Sequence, residues 1–111
     1  MDEITMDDFN KVFLCAGTVL KAEEFPEAIK PAYKLTVDFG PHGIKKSSVR
    51  ITEAYKVDEL VGRQIIGAIN LSPRQIGPFI SEFLTVGFMN TDGKIILAVP
   101  DGQAPNGDKM A

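Results

Sequence analysis

Five basic residues, Lys30, Lys34, Lys45, Lys46 and Arg50, fall between positions 30 and 50 against one acid, Asp38. Such a cluster does non-covalent chemistry. It holds phosphates or an acidic partner by ionic contact and by counterion release. The same residues also suit a solvated strand face, where lysines discourage edge-to-edge pairing. A second set, Asn70, Ser81 and Glu82, supplies hydrogen-bonding groups. Glu82 can accept from a base edge or a peptide amide, whereas Asn70 and Ser81 suit equally well the pairing of backbone groups around the proline-containing stretch 72–80. A third set, Phe25, Tyr33, Arg74 and Phe79, is suited to an apolar peptide; Phe25 and Phe79 sit in proline-containing connections, where binding residues concentrate. Bond-making chemistry finds no such set. One histidine and one cysteine cannot supply a zinc site of those ligand types. A Cys15–His42 dyad lacks an orienting third group, and no glycine-rich phosphate loop joins a strand to a helix. The expectation is a binding protein with no catalytic residue, no metal and no cofactor.

These residues need a scaffold, and the period-two pattern supplies it. Tyr33, Leu35, Val37 and Phe39 alternate with Lys34, Thr36 and Asp38, the signature of a half-buried strand. Gly40-Pro41-His42-Gly43 is turn chemistry, and residues 44–52 read as the returning strand, with Lys46, Ser48 and Arg50 on one face. Upstream, Thr5 offers an N-cap for a helix over 6–12, followed by a strand over 13–22 that Gly17 would bend. Residues 23–30 read as a polar connection. Residues 53–62 read as a short helix ending at Gly62, and 64–71 as a buried strand. The stretch 72–78, with two prolines, is expected to be irregular. Strands over 83–88 and 94–99 flank an Asn90-Thr91-Asp92-Gly93 hairpin turn. Five of these six strands, with a glycine bend and a helix between the third and fourth, predict an all-β, five-stranded Greek-key barrel of the OB-fold type, with a short N-terminal helix.

Composition bounds the rest. One domain over 1–111 is expected, with 44% hydrophobic residues enough for one modest core. The net charge of −3 argues against a protein that coats nucleic acid generally. Acids gather at Asp2, Glu3, Asp7 and Asp8, so the positive charge is local rather than abundant. A single cysteine favours a reducing cytoplasm. No secretory leader or membrane-length apolar run is present, so no membrane insertion is expected. The helical arm (1–12) and the tail (100–111), each with little to bury on its own barrel, are candidate dimer arms, and the tail is expected to fray or to lie across a partner.

A longer resemblance covers residues 9–109. Gly17-Thr18-Val19, FPEAIKPAYKL (25–35), VDFGPHGIKKSS (37–48), Ile51-Thr52, Tyr55, LVGRQ (60–64), Asn70, Pro73, Ser81-Glu82 and VPDGQAPNG (99–107) stand in the order seen in the CsaA-type export-related chaperones of the tRNA-binding-domain family, which the chain resembles. The resemblance implies a homodimeric, cytoplasmic holdase that binds unfolded preproteins for Sec-dependent export and contacts SecA. It also implies tRNA as an alternative ligand on the same face, since related modules are appended to aminoacyl-tRNA synthetases. By resemblance Asn70, Ser81 and Glu82 lie near the ligand face. Two positions depart from it: Cys15-Ala16 stand where a basic and a small residue often precede Gly-Thr, and Phe83-Leu84 follow Ser81-Glu82 where tRNA-binding relatives often carry methionine.

Overall fold

The alternation over 33–39 builds the inner face of a barrel. In the computed structural model, which describes residues 1–110, Tyr33, Leu35, Val37 and Phe39 are all buried. The elements are α1 (Met6–Asn10), β1 (Leu14–Glu24), β2 (Tyr33–Asp38), a 3-10 turn (Gly40–His42), β3 (Ile44–Val49), α2 (Val57–Leu60), β4 (Gln64–Ala68), β5 (Arg74–Ile76), β6 (Phe79–Ser81), β7 (Leu84–Thr85), β8 (Gly87–Met89) and β9 (Ile95–Leu97). Five strands form one antiparallel sheet in the order β3-β2-β1-β4-β7. The sheet curls until β3 meets the chain just before β7, giving the nearly closed OB-type barrel expected, with α2 between the third and fourth barrel strands.

Phe39 plugs that barrel, and two glycines make room for it. A Cβ on Gly17 would lie 2.6 Å from the Phe39 ring, and one on Gly67 would lie 2.7 Å from it on the neighbouring strand. Gly17 therefore serves close approach. The expected bend is elsewhere: the β1–β2 register shifts between Val19 and Lys21.

Side chains fix the ends of the elements. Thr5 caps α1 by accepting from the Asp8 N–H at 3.1 Å. The helix ends at Asn10, earlier than the expected 12, because Asn70 draws the chain into β1. Its amide donates to Lys11 O at 2.6 Å, and its Oδ1 accepts from the Phe13 N–H at 2.8 Å. Leu60 anchors α2 in the core, and Gly62 follows it at φ +88°.

Three further expectations need correction. The stretch 72–78 is not wholly irregular, since β5 pairs with β6 around a turn at Gly77-Pro78. Both prolines lie outside the short strands, so neither has to donate to the ladder. The strand over 83–88 is two strands. Val86 divides them, its N–H donating to Ile66 O at 2.9 Å and its carbonyl accepting from the Ala98 N–H at 3.0 Å. The tail neither frays nor needs a partner to lie on. Over its described residues it runs along β1, with Ala16 N–H donating to Asp108 O, Gly107 N–H to Ala16 O and Met110 N–H to Leu14 O. β4 holds the other edge of β1 there, so the tail continues the line of β2 and covers backbone that would otherwise be open.

Candidate functional site

The barrel seam shows what the predicted polar residues do. Ser47, fully buried on β3, donates to Phe83 O at 2.6 Å. The Ser81 hydroxyl lies 3.1 Å from Ser47 Oγ and accepts from the Ser48 N–H at 3.1 Å. Glu82 accepts from the Lys46 N–H through its carboxylate at 2.9 Å and donates its own N–H to Lys46 O at 2.8 Å. Ser81, Glu82 and, at the other end of the barrel sheet, Asn70 thus satisfy backbone groups. Their partners lie on β3 and before β1, not within 72–80.

Beside this seam opens a groove of about 600 Å³. One wall is the 25–32 connection and the other is the β5–β6 hairpin. The two are tied through β2. Phe25 and Phe79 meet edge to face at 5.2 Å, and Lys34 Nζ stands 5.4 Å and 5.9 Å from their ring centres. Lys34 is therefore spent on holding the walls together, and Phe25, 4% exposed, offers no free ring face. Tyr33 is buried too, its hydroxyl donating to Tyr55 O at 2.8 Å. As surfaces for a peptide, Phe25 and Tyr33 are corrected by this burial; the core needs both.

Lys30, Arg50 and Arg74 line the groove from three separate segments. No carboxylate lines it, and none of the three is in an ion pair among the described residues, where the pairs are Lys11–Asp8 and Lys21–Glu23. The apolar lining includes Ile29, Leu71 and Leu84, which are exposed. Thr85 also lines it, and its Oγ1 is buried without a hydrogen-bond partner. Ser81 borders the groove, whereas Lys34, Lys45, Lys46, Asn70, Glu82, Phe25, Tyr33 and Phe79 do not. In the sequence the charge stands out, whereas Ile29, Leu71, Leu84 and Thr85 do not. Leu84 carried a signal: in a short strand it is apolar beside buried Thr85, on the side where a polar residue would face water.

No group of three His, Cys, Asp or Glu side chains able to hold a metal exists among the described residues. Burial pushes the Cys15 thiol up, against the opposing pull of Lys45, and so disfavours a thiolate. His42 is held by the tail, Nε2 lying 3.2 Å from Gly107 O, with its ring edge-on to Phe13. No helix of the described residues is long and apolar enough to cross a membrane.

Residues 14–109 match the model of a putative tRNA binding domain. Among solved structures, the chain superimposes on the chaperone CsaA of Bacillus anthracis with a TM-score of 0.93 and 39% identity, over 99% of this chain and 100% of the other. It superimposes on a CsaA chaperone protein of Picrophilus torridus with a TM-score of 0.92 and 46% identity, over 98% and 100%. A methionine–tRNA ligase of Rhodopirellula baltica is 37% identical over 105 residues, which are 94% of this chain and 15% of the ligase. The chain spans only about 15% of the length of such curated relatives.

Proposed function

The chain belongs to the putative tRNA-binding-domain family, and we propose that it works in it as a CsaA-like holdase, keeping unfolded preproteins in a state fit for Sec-dependent export. One observation carries this reading: a groove whose aliphatic lining is exposed while its cationic rim is unpaired. Exposed apolar surface beside charge is what an unfolded segment needs to bury its own apolar side chains and remain soluble. Likeness at full length to two chaperone structures supports it further. Binding is passive. It lowers the free concentration of aggregation-prone chain and uses no nucleotide. A cytoplasmic homodimer would present two grooves to one client and raise avidity through effective concentration, and SecA is the receptor to which clients would pass.

Structure-specific tRNA binding is the second reading, favoured by the family match and by the basic strand β3, where the Lys46 side chain is in no ion pair among the described residues. Titration of a labelled unfolded preprotein at low and moderate salt, with tRNA as competitor, separates the two. The holdase reading expects salt-tolerant binding that tRNA does not displace. Steep salt dependence with displacement by tRNA would replace it by one shared electrostatic site.

A further inference from the structure

We propose that the groove selects polypeptide segments in which an aliphatic side chain lies beside a carboxylate, and rejects segments rich in lysine or arginine. This selectivity rests on the polypeptide-binding reading above. The sign of the site is one-sided. Lys30, Arg50 and Arg74 reach the groove from three segments, no acid lines it, and none of the three has an ion-pair partner among the described residues. A carboxylate entering it meets several donors, two of them guanidinium groups suited to bidentate pairing. A lysine entering it meets like charge in a partly desolvated space.

The apolar lining sets the second half of the preference. Ile29, Leu71 and Leu84 are exposed and aliphatic, while the aromatic ring in the lining, Phe83, is buried and edge-on to Phe39 at 4.9 Å. Single-stranded bases are held chiefly by stacking on aromatic faces, and no such platform lines this groove. The geometry therefore favours an aliphatic side chain over a base. A volume of about 600 Å³ lies within the range that encloses a small ligand, so it takes a short extended segment and not a folded surface. Clients would be gripped at acidic–aliphatic stretches. A basic segment, such as the charged start of a secretory leader, would stay outside and remain free for a receptor.

The test uses the full chain and fluorescent peptides that share one aliphatic core and carry Glu, Gln or Lys beside it, each with a free or an amidated C-terminus. Anisotropy titration should find the Glu peptide bound about tenfold more tightly than the Gln peptide, with the Lys peptide weakest. Equal binding of the two Glu forms assigns the carboxylate to the side chain. A free-ended Gln peptide matching them assigns it to the chain terminus, and supports the same chemistry. The double variant Arg50→Glu, Arg74→Glu changes exposed side chains and should reverse the order towards the Lys peptide. Equal affinity for Glu, Gln and Lys peptides overturns the selectivity and leaves polypeptide binding standing. Failure of every peptide overturns the holdase reading itself. Displacement of the Glu peptide by a tighter-binding RNA oligonucleotide overturns both in favour of nucleic acid.

Discussion

Glu82 and Lys46 hold each other across the barrel seam through two hydrogen bonds: Glu82 N–H donates to Lys46 O at 2.8 Å, and Lys46 N–H donates to the Glu82 carboxylate at 2.9 Å. The side chain thus completes a ladder rung that the backbone alone leaves half made. Replacing it by alanine should lower stability by about 1 kcal/mol, less than a buried bond to a charged acceptor because this one is exposed. Glu82→Gln keeps an acceptor and should lose much less. Thermal melts of the two variants check this, and an unchanged midpoint in the alanine variant would mean that the carboxylate does not seal the strand.

Gly17 is one of the two positions beside the Phe39 ring where the barrel leaves no room for a side chain. Its missing Cβ would sit 2.6 Å from the Phe39 ring and 2.6 Å from a Val37 methyl, both buried. Gly17→Ala should destabilise by about 1–3 kcal/mol, as overpacking of a close-packed core does. A fall in the denaturant midpoint at unchanged slope is the expected result. Compensation by Phe39→Leu in the double variant would show that the ring is the obstacle.

The period-two run Tyr33, Leu35, Val37, Phe39 was legible in the sequence because both its facing and its burial are local properties of a strand. The Asn90–Gly93 turn was legible for the same reason; Asn90 Oδ1 accepts from the Asp92 and Lys94 N–H groups at 3.0 Å each. The seam was not, since Glu82 and Lys46 lie far apart in sequence and neither residue type announces its partner. The tail misled because its composition promises little burial, while what fixes it is backbone pairing to Leu14 and Ala16 and the side chain of Asn106. In the groove, charge was visible at Lys30, Arg50 and Arg74. The use of Lys34 as a clamp over Phe25 and Phe79 depends on where two distant loops meet, and no spacing encodes that.

Asn106 latches the tail. Its Oδ1 accepts from Thr18 Oγ1 at 2.8 Å and from Gln64 Nε2 at 3.1 Å, while Gln64 also donates to Ala104 O and accepts from the Ala104 N–H. Asn106→Ala should cost about 1–2 kcal/mol, since it strands two part-buried donors. Amide exchange at Ala16 and Gly107 should accelerate more than exchange in the core of β2, because the tail opens as a local unit. Uniform acceleration throughout the barrel would show that the tail and barrel open together.

Stability should decline at alkaline pH. Burial, reinforced by Glu24, holds the Tyr33 phenol above its ordinary value of 10.0, and burial, opposed by Lys45, raises the Cys15 thiol above 9.0. Below those ordinary values both groups are neutral in folded and unfolded chains alike, and stability is fully present. Above them the unfolded chain releases protons that the folded chain retains, so stability falls as pH climbs towards the raised folded values. Urea midpoints taken upward from neutral pH should show this decline, beginning with the thiol. Cys15→Ala should flatten its first part, and an unchanged profile in that variant would assign the decline to other groups.

Thr85 lines the groove and carries a buried hydroxyl with no partner among the described residues. Its Oγ1 is buried without a partner, so the folded state bears the desolvation of a hydroxyl and receives no bond in return. Thr85→Val keeps the shape and removes the hydroxyl, and should stabilise the free protein by about 1 kcal/mol. Because Thr85 lines the groove, the same change should weaken the Glu-peptide complex if a bound segment supplies the missing partner. A shift in thermal midpoint and a peptide titration on one sample decide between two roles. Greater stability with weaker binding marks Thr85 as part of the recognition surface; greater stability with unchanged binding confines it to the wall of the barrel.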